Sequence, residues 1–123
     1  MATILKKTLV LGASPNPSRY SNLAIQRLRN LKHTVVGIGK RQGKVADIDI
    51  NIDHPNIEGI DTVTLYLNAT NQKEYYDYIF SLHPNRIIFN PGAENDELTR
   101  LANQKGIQTL EACTLVLLST GQY

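Results

Sequence analysis

The chain has 123 residues and a formal net charge of +2 at pH 7, with 41% hydrophobic and 20% charged residues. These values exclude a disordered or fibrous protein, and they favour one globular domain over residues 1–123. The small charge gives no reason to expect nucleic acid as a partner, and no apolar run approaches the roughly 20 residues that span a bilayer. Residues 1–7 also lack the apolar core and cleavage site of a secretory leader, so we expect a cytoplasmic protein without membrane contact.

Five short segments have the apolar or β-branched character of buried strands. They are residues 8–11, 33–38, 62–67, 86–89 and 108–111. The first of them shows no alternation of polar and apolar residues, which is typical of a strand covered on both faces. Residues 39–59 are polar and predicted to be irregular, with the stretch KVADIDINI forming a short extended excursion.

Three helices are predicted between the strands. Ser21 can cap the first, in which apolar residues recur on one face. Asn71 and Glu74 have the spacing of a capping box at the start of the second. The third begins at Asn95, which two acidic residues follow, as the N-terminal end of a helix dipole favours. Residues 115–118 are predicted to form a short apolar closing turn.

Strands that alternate with helices of about ten residues predict right-handed βαβ units and a parallel sheet. We therefore predict an α/β fold: a single doubly wound, Rossmann-like domain with a five-stranded, mainly parallel sheet and helices on both faces. The preferred strand order is 3-2-1-4-5. Ligands of such folds bind beyond the carboxyl ends of the strands, beside the first strand.

The loop after the first predicted strand, GASPNPSR, has a composition that suits phosphate binding. Gly12 permits a tight turn, Ala13 and Ser14 keep the backbone free of bulk, and the following helix offers its N-terminus. Ser21 adds a hydroxyl group and Arg19 adds a forked cation for phosphate oxygens. The dinucleotide fingerprint G-x-G-x-x-G is not met, however, and an ordinary loop before a capped helix accounts for the same residues equally well.

The second predicted strand ends in basic residues instead of the acid that NAD-binding domains place there. Residues 37–44 read GIGKRQGK, which places Gly39, Lys40 and Arg41 at the strand end. This arrangement favours a ligand with an additional phosphate near its adenosine, such as NADP or coenzyme A. A solvated, charged loop is the alternative.

Two further loops complete the predicted rim of the site. Asn68 follows the third predicted strand, where its side chain can bond a ligand or cap the next helix. Pro91 and Gly92 follow the fourth, where a Pro-Gly pair indicates either a turn or a close approach of the backbone to a ligand.

Four segments, VLGASPNPSRYSN, GIGKRQGKV, NPGAEN and GIQTLEACT, occur in the order and spacing found in the small stand-alone CoA-binding proteins. Those proteins resemble the nucleotide-binding N-terminal domain of the succinyl-CoA synthetase α subunit, and the resemblance covers nearly the whole chain. It implies a Rossmann-like fold that holds coenzyme A or an acyl-CoA across the first loops. The chain departs from the synthetase domain in its proline-rich first loop and in lacking a ligase or phosphohistidine region. The resemblance therefore implies binding rather than catalysis.

The resemblance also implies roles for individual residues. The phosphates would be contacted by Gly12, Ala13, Ser14, Arg19 and Ser21. The adenosine end, with its additional phosphate, would be flanked by Gly39, Lys40 and Arg41. The pantetheine side would be lined by Asn68, Pro91 and Gly92. No metal and no catalytic residue are expected.

The single cysteine, Cys113, excludes an internal disulfide and a zinc site of four cysteines. Because it follows the fifth predicted strand, a mixed disulfide with CoA is one hypothesis and a buried structural cysteine is the simpler one. His33, His54 and His83 lie in separate connections, and none has a second ligand at metal spacing.

Two other classes of function stay open beside CoA binding. One is an NADP-dependent oxidoreductase or redox sensor on the same fold, and the other is a protein-interaction domain whose ligand loop is vestigial. The segment EYYDYIF also carries Tyr76 and an exposed Phe80, which could support a homodimer contact.

Overall fold

Seven strands form one sheet in the computed structural model of the chain, which describes residues 4–123. The strands are β1 Thr8–Leu11, β2 Val35–Ile38, β3 Gly43–Val45, β4 Ile48–Asn51, β5 Thr62–Leu65, β6 Arg86–Phe89 and β7 Gln108–Glu111. The helices are α1 Tyr20–Asn30, α2 Ala69–Gln72, α3 Tyr76–Ser81, α4 Asp96–Gln104 and α5 Thr114–Ser119, with a 3-10 turn at Lys73–Tyr75 between α2 and α3. Residues 1–3, part of the segment in which no leader was expected, lie outside the described residues.

The sheet order is β3-β4-β2-β1-β5-β6-β7, and every neighbouring pair is parallel except β3 with β4. The predicted five-stranded sheet with order 3-2-1-4-5 is therefore wrong, although the α/β fold and the mainly parallel sheet are confirmed. The third predicted strand became β5, which pairs with β1 on the side opposite to β2. All four residues of β5 are buried, whereas the outermost strand β7 has exposed ends. Full burial on both sides requires the inner position.

The segment predicted to be irregular contains the two additional strands. β3 and β4 form a hairpin whose turn is Ala46 and Asp47, and Ala46 has a positive φ of 53°. Arg29 of α1 holds this turn through two hydrogen bonds of 2.8 Å to the Asp47 carboxylate. The alternation of polar and apolar residues here is the pattern of a half-buried strand, since Val45 and Ile50 are both 3% exposed. β4 then covers the outer side of β2.

Helices cover both faces of the sheet, as predicted, and alternate residues of β1 enter two separate hydrophobic clusters. Leu9 and Leu11 pack in a cluster with residues of α3 and α4. Val10 packs in the second cluster with residues of α1 and α5. The strand is thus buried on both faces, which explains its continuous apolar run.

Two predicted helix caps are wrong and one is confirmed. Helix α1 begins at Tyr20, so Arg19 occupies the N-cap position and Ser21 is a buried residue of the first turn. Helix α2 begins earlier than the predicted capping box, because the Asn68 side chain accepts a hydrogen bond from the Asn71 amide at 2.9 Å. The Asn95 side chain accepts from the Leu98 amide at 3.1 Å, as a cap of α4 should.

The predicted closing turn over residues 115–118 is part of helix α5. Within residues 4–123, the longest helix is α1 with 11 residues, and none has the length and apolar character that a bilayer crossing requires.

Candidate functional site

A cavity of about 190 Å³ lies at the carboxyl ends of β1 and β2. We call it the first cavity. Eight of the predicted site residues line it: Gly12, Ala13, Ser14, Arg19, Ser21, Gly39, Lys40 and Arg41. Three other residues of its lining were not predicted: Pro15, Leu67 and Tyr75. The loops after β1 and β2 thus meet in one concave surface, at the edge where ligands of open α/β sheets bind.

Close backbone contacts hold the two loops together. The amides of Gly12 and Ala13 both donate to the carbonyl oxygen of Ile38, at 2.9 Å each. A Cβ atom on Gly39 would lie 2.0 Å from the Ala13 carbonyl oxygen, so no larger residue fits there without moving the loop. Gly12 has a φ of +92°, and a Cβ atom on it would lie 2.8 Å from the carbonyl oxygen of Tyr66. Glycine at both positions allows three chain segments to approach one another.

The Gly12 and Ala13 amides are therefore already hydrogen-bonded within the protein. These two residues shape the first cavity but offer a ligand no hydrogen-bond donors. The loop between β1 and α1 is braced further by Asn22, which is 3% exposed and donates to the Ser14 carbonyl oxygen at 3.0 Å. The Ser14 hydroxyl oxygen accepts from the Asn16 amide at 3.1 Å. Sequence analysis did not identify Asn22, because a buried asparagine on an amphipathic helix has no distinctive pattern.

The N-terminus of α1 faces the first cavity without a protein group to neutralise it. No side chain caps this helix, and its first turn contains no acidic residue. Among the hydrogen bonds that residues 4–123 make, none uses the amides of Tyr20 or Ser21. Unpaired first-turn amides and the helix dipole together attract an anion.

Three exposed cations surround the first cavity: Arg19, Lys40 and Arg41. None of them forms an ion pair within the described part of the chain, where the two salt bridges are Arg29 with Asp47 and Lys44 with Asp49. The rim therefore carries uncompensated positive charge beside the helix N-terminus. Such an arrangement suits a ligand with several phosphate groups.

The remaining three predicted site residues lie elsewhere. Asn68 caps α2 and does not line the first cavity. The Gly92 amide donates to the Glu94 carboxylate at 2.9 Å in an exposed turn. Pro91 lines a second cavity of about 300 Å³, on the other side of the α1 N-terminus.

This second cavity is formed by the carboxyl ends of β5, β6 and β7 together with α1 and α5. Its lining residues are Tyr20, Tyr66, Asn90, Pro91, Cys113 and Leu115. Asn90 fixes the floor, since its amide group donates to the Thr64 hydroxyl oxygen at 2.7 Å and to the Leu65 carbonyl oxygen at 2.8 Å. Its side-chain oxygen accepts from the Thr114 amide at 2.8 Å. Burial raises the pKa of the Tyr66 phenol above its ordinary value, so that group stays neutral at physiological pH.

Cys113 is half-buried and faces the second cavity, which brings it to the edge of the sheet but away from the cationic rim.

The two aromatic residues considered for a dimer contact, Tyr76 and Phe80, make contacts within the chain. The Tyr76 hydroxyl donates to the Glu97 carboxylate at 3.0 Å and accepts from the Asn95 amide group at 2.8 Å. Phe80 was expected to be exposed, but it packs partly against the core.

One comparison with known proteins identifies a family, and a second finds solved structures with the same fold. A family model described as a CoA binding domain matches residues 6–119. The crystal structure of an uncharacterized protein is 47% identical, covers 98% of this chain and 100% of its own, and superposes with a TM-score of 0.96. A hypothetical protein from Pyrococcus horikoshii OT3 is 20% identical over 94% of this chain and 83% of its own, with a TM-score of 0.85. No curated protein matches the chain.

A protein from Thermus thermophilus described as cell-free ID.343 has the same fold. It is 15% identical over 97% of this chain and 91% of its own, with a TM-score of 0.83.

Proposed function

We propose that this chain, which belongs to the CoA-binding domain family, binds coenzyme A or an acyl-CoA at the carboxyl edge of its sheet, with no catalysis of its own. The observation that carries the proposal is the uncompensated cationic rim of the first cavity, next to an uncapped helix N-terminus. Coenzyme A has a diphosphate and a separate phosphate on its ribose, and these need two positively charged subsites.

Two groups of residues on different elements support this assignment. The free amides at the start of α1, with the Arg19 guanidinium, suit the diphosphate. Lys40 and Arg41 come from the loop after β2, on the other side of the first cavity, and suit the ribose phosphate. Arginine can grip phosphate oxygens with two parallel bonds, whereas lysine acts as a point charge.

The composition of the first cavity supports binding without chemistry. Its lining contains no carboxylate, no imidazole and no thiol. Acid–base catalysis most often uses such a group, and the Ser14 and Ser21 hydroxyls would need an adjacent base to act as nucleophiles. The composition of the first cavity therefore favours binding of the charged part of the ligand without a reaction on it.

Isothermal titration with CoA and 3′-dephospho-CoA tests the assignment of the rim. In the double variant Lys40→Ala/Arg41→Ala we expect CoA to bind about 5- to 30-fold more weakly, since two exposed cations contribute roughly 1–2 kcal/mol together. Binding of 3′-dephospho-CoA should change little, because it lacks the phosphate that these residues would hold. The double variant Arg100→Ala/Lys105→Ala removes the same charge from α4 and the turn after it, and serves as the matched control.

Three other results would contradict the proposal in different ways. An equal loss of affinity for both ligands would show that Lys40 and Arg41 do not hold the ribose phosphate. Tighter binding of NADP than of CoA to the unmodified protein would favour an oxidoreductase or redox sensor. Binding of neither CoA nor NADP would favour a protein-interaction domain with a vestigial site.

A further inference from the structure

The second cavity adjoins the first across the N-terminus of α1. Arg19 and Ser21 line the first cavity, and Tyr20 between them lines the second. The two are also joined at the sheet, where Gly12 of the first cavity lies against the backbone of Tyr66, which lines the second. One extended ligand can therefore occupy both cavities by passing over the start of α1.

We propose that the second cavity receives the thiol end of the pantetheine arm together with a short, uncharged acyl group, so that the protein selects neutral short-chain acyl-CoAs over CoA esters of dicarboxylic acids. This inference rests on the proposed function and names the class of ligand that the site takes.

The pantetheine arm is long enough to reach from the first cavity to the second. The end of β1 and the end of β6 are two strand spacings apart, which is about 10 Å. The pantetheine arm reaches about 15 Å when extended, which is the reach of roughly four to five residues of extended chain. A ligand whose diphosphate lies at the start of α1 can therefore place its sulfur atom beside Pro91 and Cys113.

The lining of the second cavity sets the chemistry of the acyl group. It presents aromatic, aliphatic and thiol surface, and none of its six residues is an aspartate, glutamate, lysine, arginine or histidine. Asn90 has no donor to spare for a carboxylate, since both N–H bonds of its amide group are used inside the protein. The Tyr66 hydroxyl has no hydrogen-bond partner in the described part of the protein, but its oxygen has almost no accessible surface to offer a ligand. A carboxylate placed there would lose its water and gain no cationic partner, because the lining contains no lysine, arginine or histidine.

The volume of the second cavity also limits the length of the acyl group. The volume of about 300 Å³ equals that of about ten water molecules. That space holds the last atoms of the arm and a few carbons, but not a long acyl chain. Tyr20 stands at the mouth with 74% of its surface exposed, which leaves a large aromatic ring to cover an apolar ligand.

Butyryl-CoA and succinyl-CoA form the matched pair for a test, because their acyl groups have four carbons each and differ by the terminal carboxylate. By isothermal titration we expect butyryl-CoA to bind at least about tenfold more tightly than succinyl-CoA, since the carboxylate would be desolvated without a partner. Leu115→Trp, which fills the second cavity, should reduce butyryl-CoA binding by a similar factor. Val116→Trp, at an exposed position on the same helix, should leave it unchanged.

Adenosine 3′,5′-bisphosphate separates this inference from the proposed function, because it has the charged end of CoA without the pantetheine arm. Its affinity should be equal in the unmodified protein and in Leu115→Trp, which also shows that the variant is folded. Alkylation of Cys113 by iodoacetamide gives a second readout: butyryl-CoA should slow it at least about tenfold, and adenosine 3′,5′-bisphosphate should not.

The outcomes are distinguishable. Equal affinities for butyryl-CoA and succinyl-CoA, or alkylation of Cys113 that saturating butyryl-CoA does not slow, would overturn the inference while CoA binding stands. Failure of both CoA and adenosine 3′,5′-bisphosphate to bind would overturn the proposed function and this inference with it.

Discussion

At Gly39, both the fold and the candidate site require that the residue has no side chain. In Gly39→Ala the new Cβ atom would lie 2.0 Å from the Ala13 carbonyl oxygen, a backbone atom that cannot rotate away. Restoring an ordinary contact requires the loop after β1 to move from the end of β2 by more than about 1 Å, since protein interiors tolerate no such overlap.

That movement breaks identifiable hydrogen bonds. The Ile38 carbonyl oxygen accepts from the amides of Gly12 and Ala13, and the Gly39 amide donates to the Asn51 carbonyl oxygen, all at 2.9 Å. Loss of two such bonds, with a buried group left unpaired, costs about 2–4 kcal/mol of unfolding free energy. Because the same loop lines the first cavity, CoA affinity should fall at least about tenfold, which corresponds to roughly 1.4 kcal/mol.

Gly106→Ala is the control for the cost of adding a methyl group. Gly106 follows α4 with a φ of +77°, and a Cβ atom there meets nothing within 4 Å. Only the strain of the left-handed conformation remains, which is about 1–2 kcal/mol. Urea unfolding followed by circular dichroism measures both variants, and titration with CoA measures the site. A Gly39→Ala protein no less stable than Gly106→Ala, with unchanged CoA affinity, would refute this account of the two loops.

Two further predictions concern buried polar groups away from the cationic rim. His33 is 2% exposed and its Nδ1 atom accepts from the Lys6 amide at 3.0 Å; burial lowers its pKa, so the folded protein keeps it neutral. The free energy of unfolding that neutral His33 contributes is thus fully present above its pKa in the unfolded chain, about 6.5. It is lost as the pH falls from there towards the lower pKa of His33 in the folded protein. The unfolding free energy should decline less between pH 7.5 and 5.5 in His33→Asn, whose Oδ1 atom can accept the same bond, and an equal decline would contradict this assignment. Asn90→Leu should cost about 2–4 kcal/mol in urea unfolding, because it leaves the Leu65 carbonyl and the Thr114 amide unpaired, and a loss below about 1 kcal/mol would show that water replaces these bonds.

The positions of five strands could be predicted from local sequence, but those of β3 and β4 and the order of the strands could not. The run TVTL alternates polar and apolar residues, which suits an outer strand as well as an inner one. Its threonines are buried because distant residues bond them: the Thr62 hydroxyl accepts from the Arg86 guanidinium at 2.7 Å, and the Thr64 hydroxyl lies 2.7 Å from that of Thr114. Those partners are 24 and 50 residues away along the chain. No local pattern contains them.

More of the residues of the first cavity than of the second could be predicted from the sequence, and the reason is also physical. The first cavity is built by two loops whose small and basic residues are contiguous in sequence, such as Gly39 with Lys40. The second is assembled from single residues of five elements, including Tyr20 and Leu115, each of which has an ordinary role in its own element. The sequence indicated Cys113 and Pro91 as residues near CoA, but Tyr20, Tyr66 and Leu115 could be identified as their neighbours only from the fold.

The N-terminus of α1 separates the two cavities, which bind different parts of the proposed ligand. Arg19, the extended N-cap residue, and Ser21 of the first turn line the first cavity, whereas Tyr20 between them lines the second. The charged part of the ligand is common to all CoA species, so contacts in the first cavity raise affinity for every acyl-CoA by the same factor. Discrimination between acyl groups must then come from the second cavity, where the groups differ. A binding domain can in this way select one class of acyl-CoA by shape and by the absence of charge.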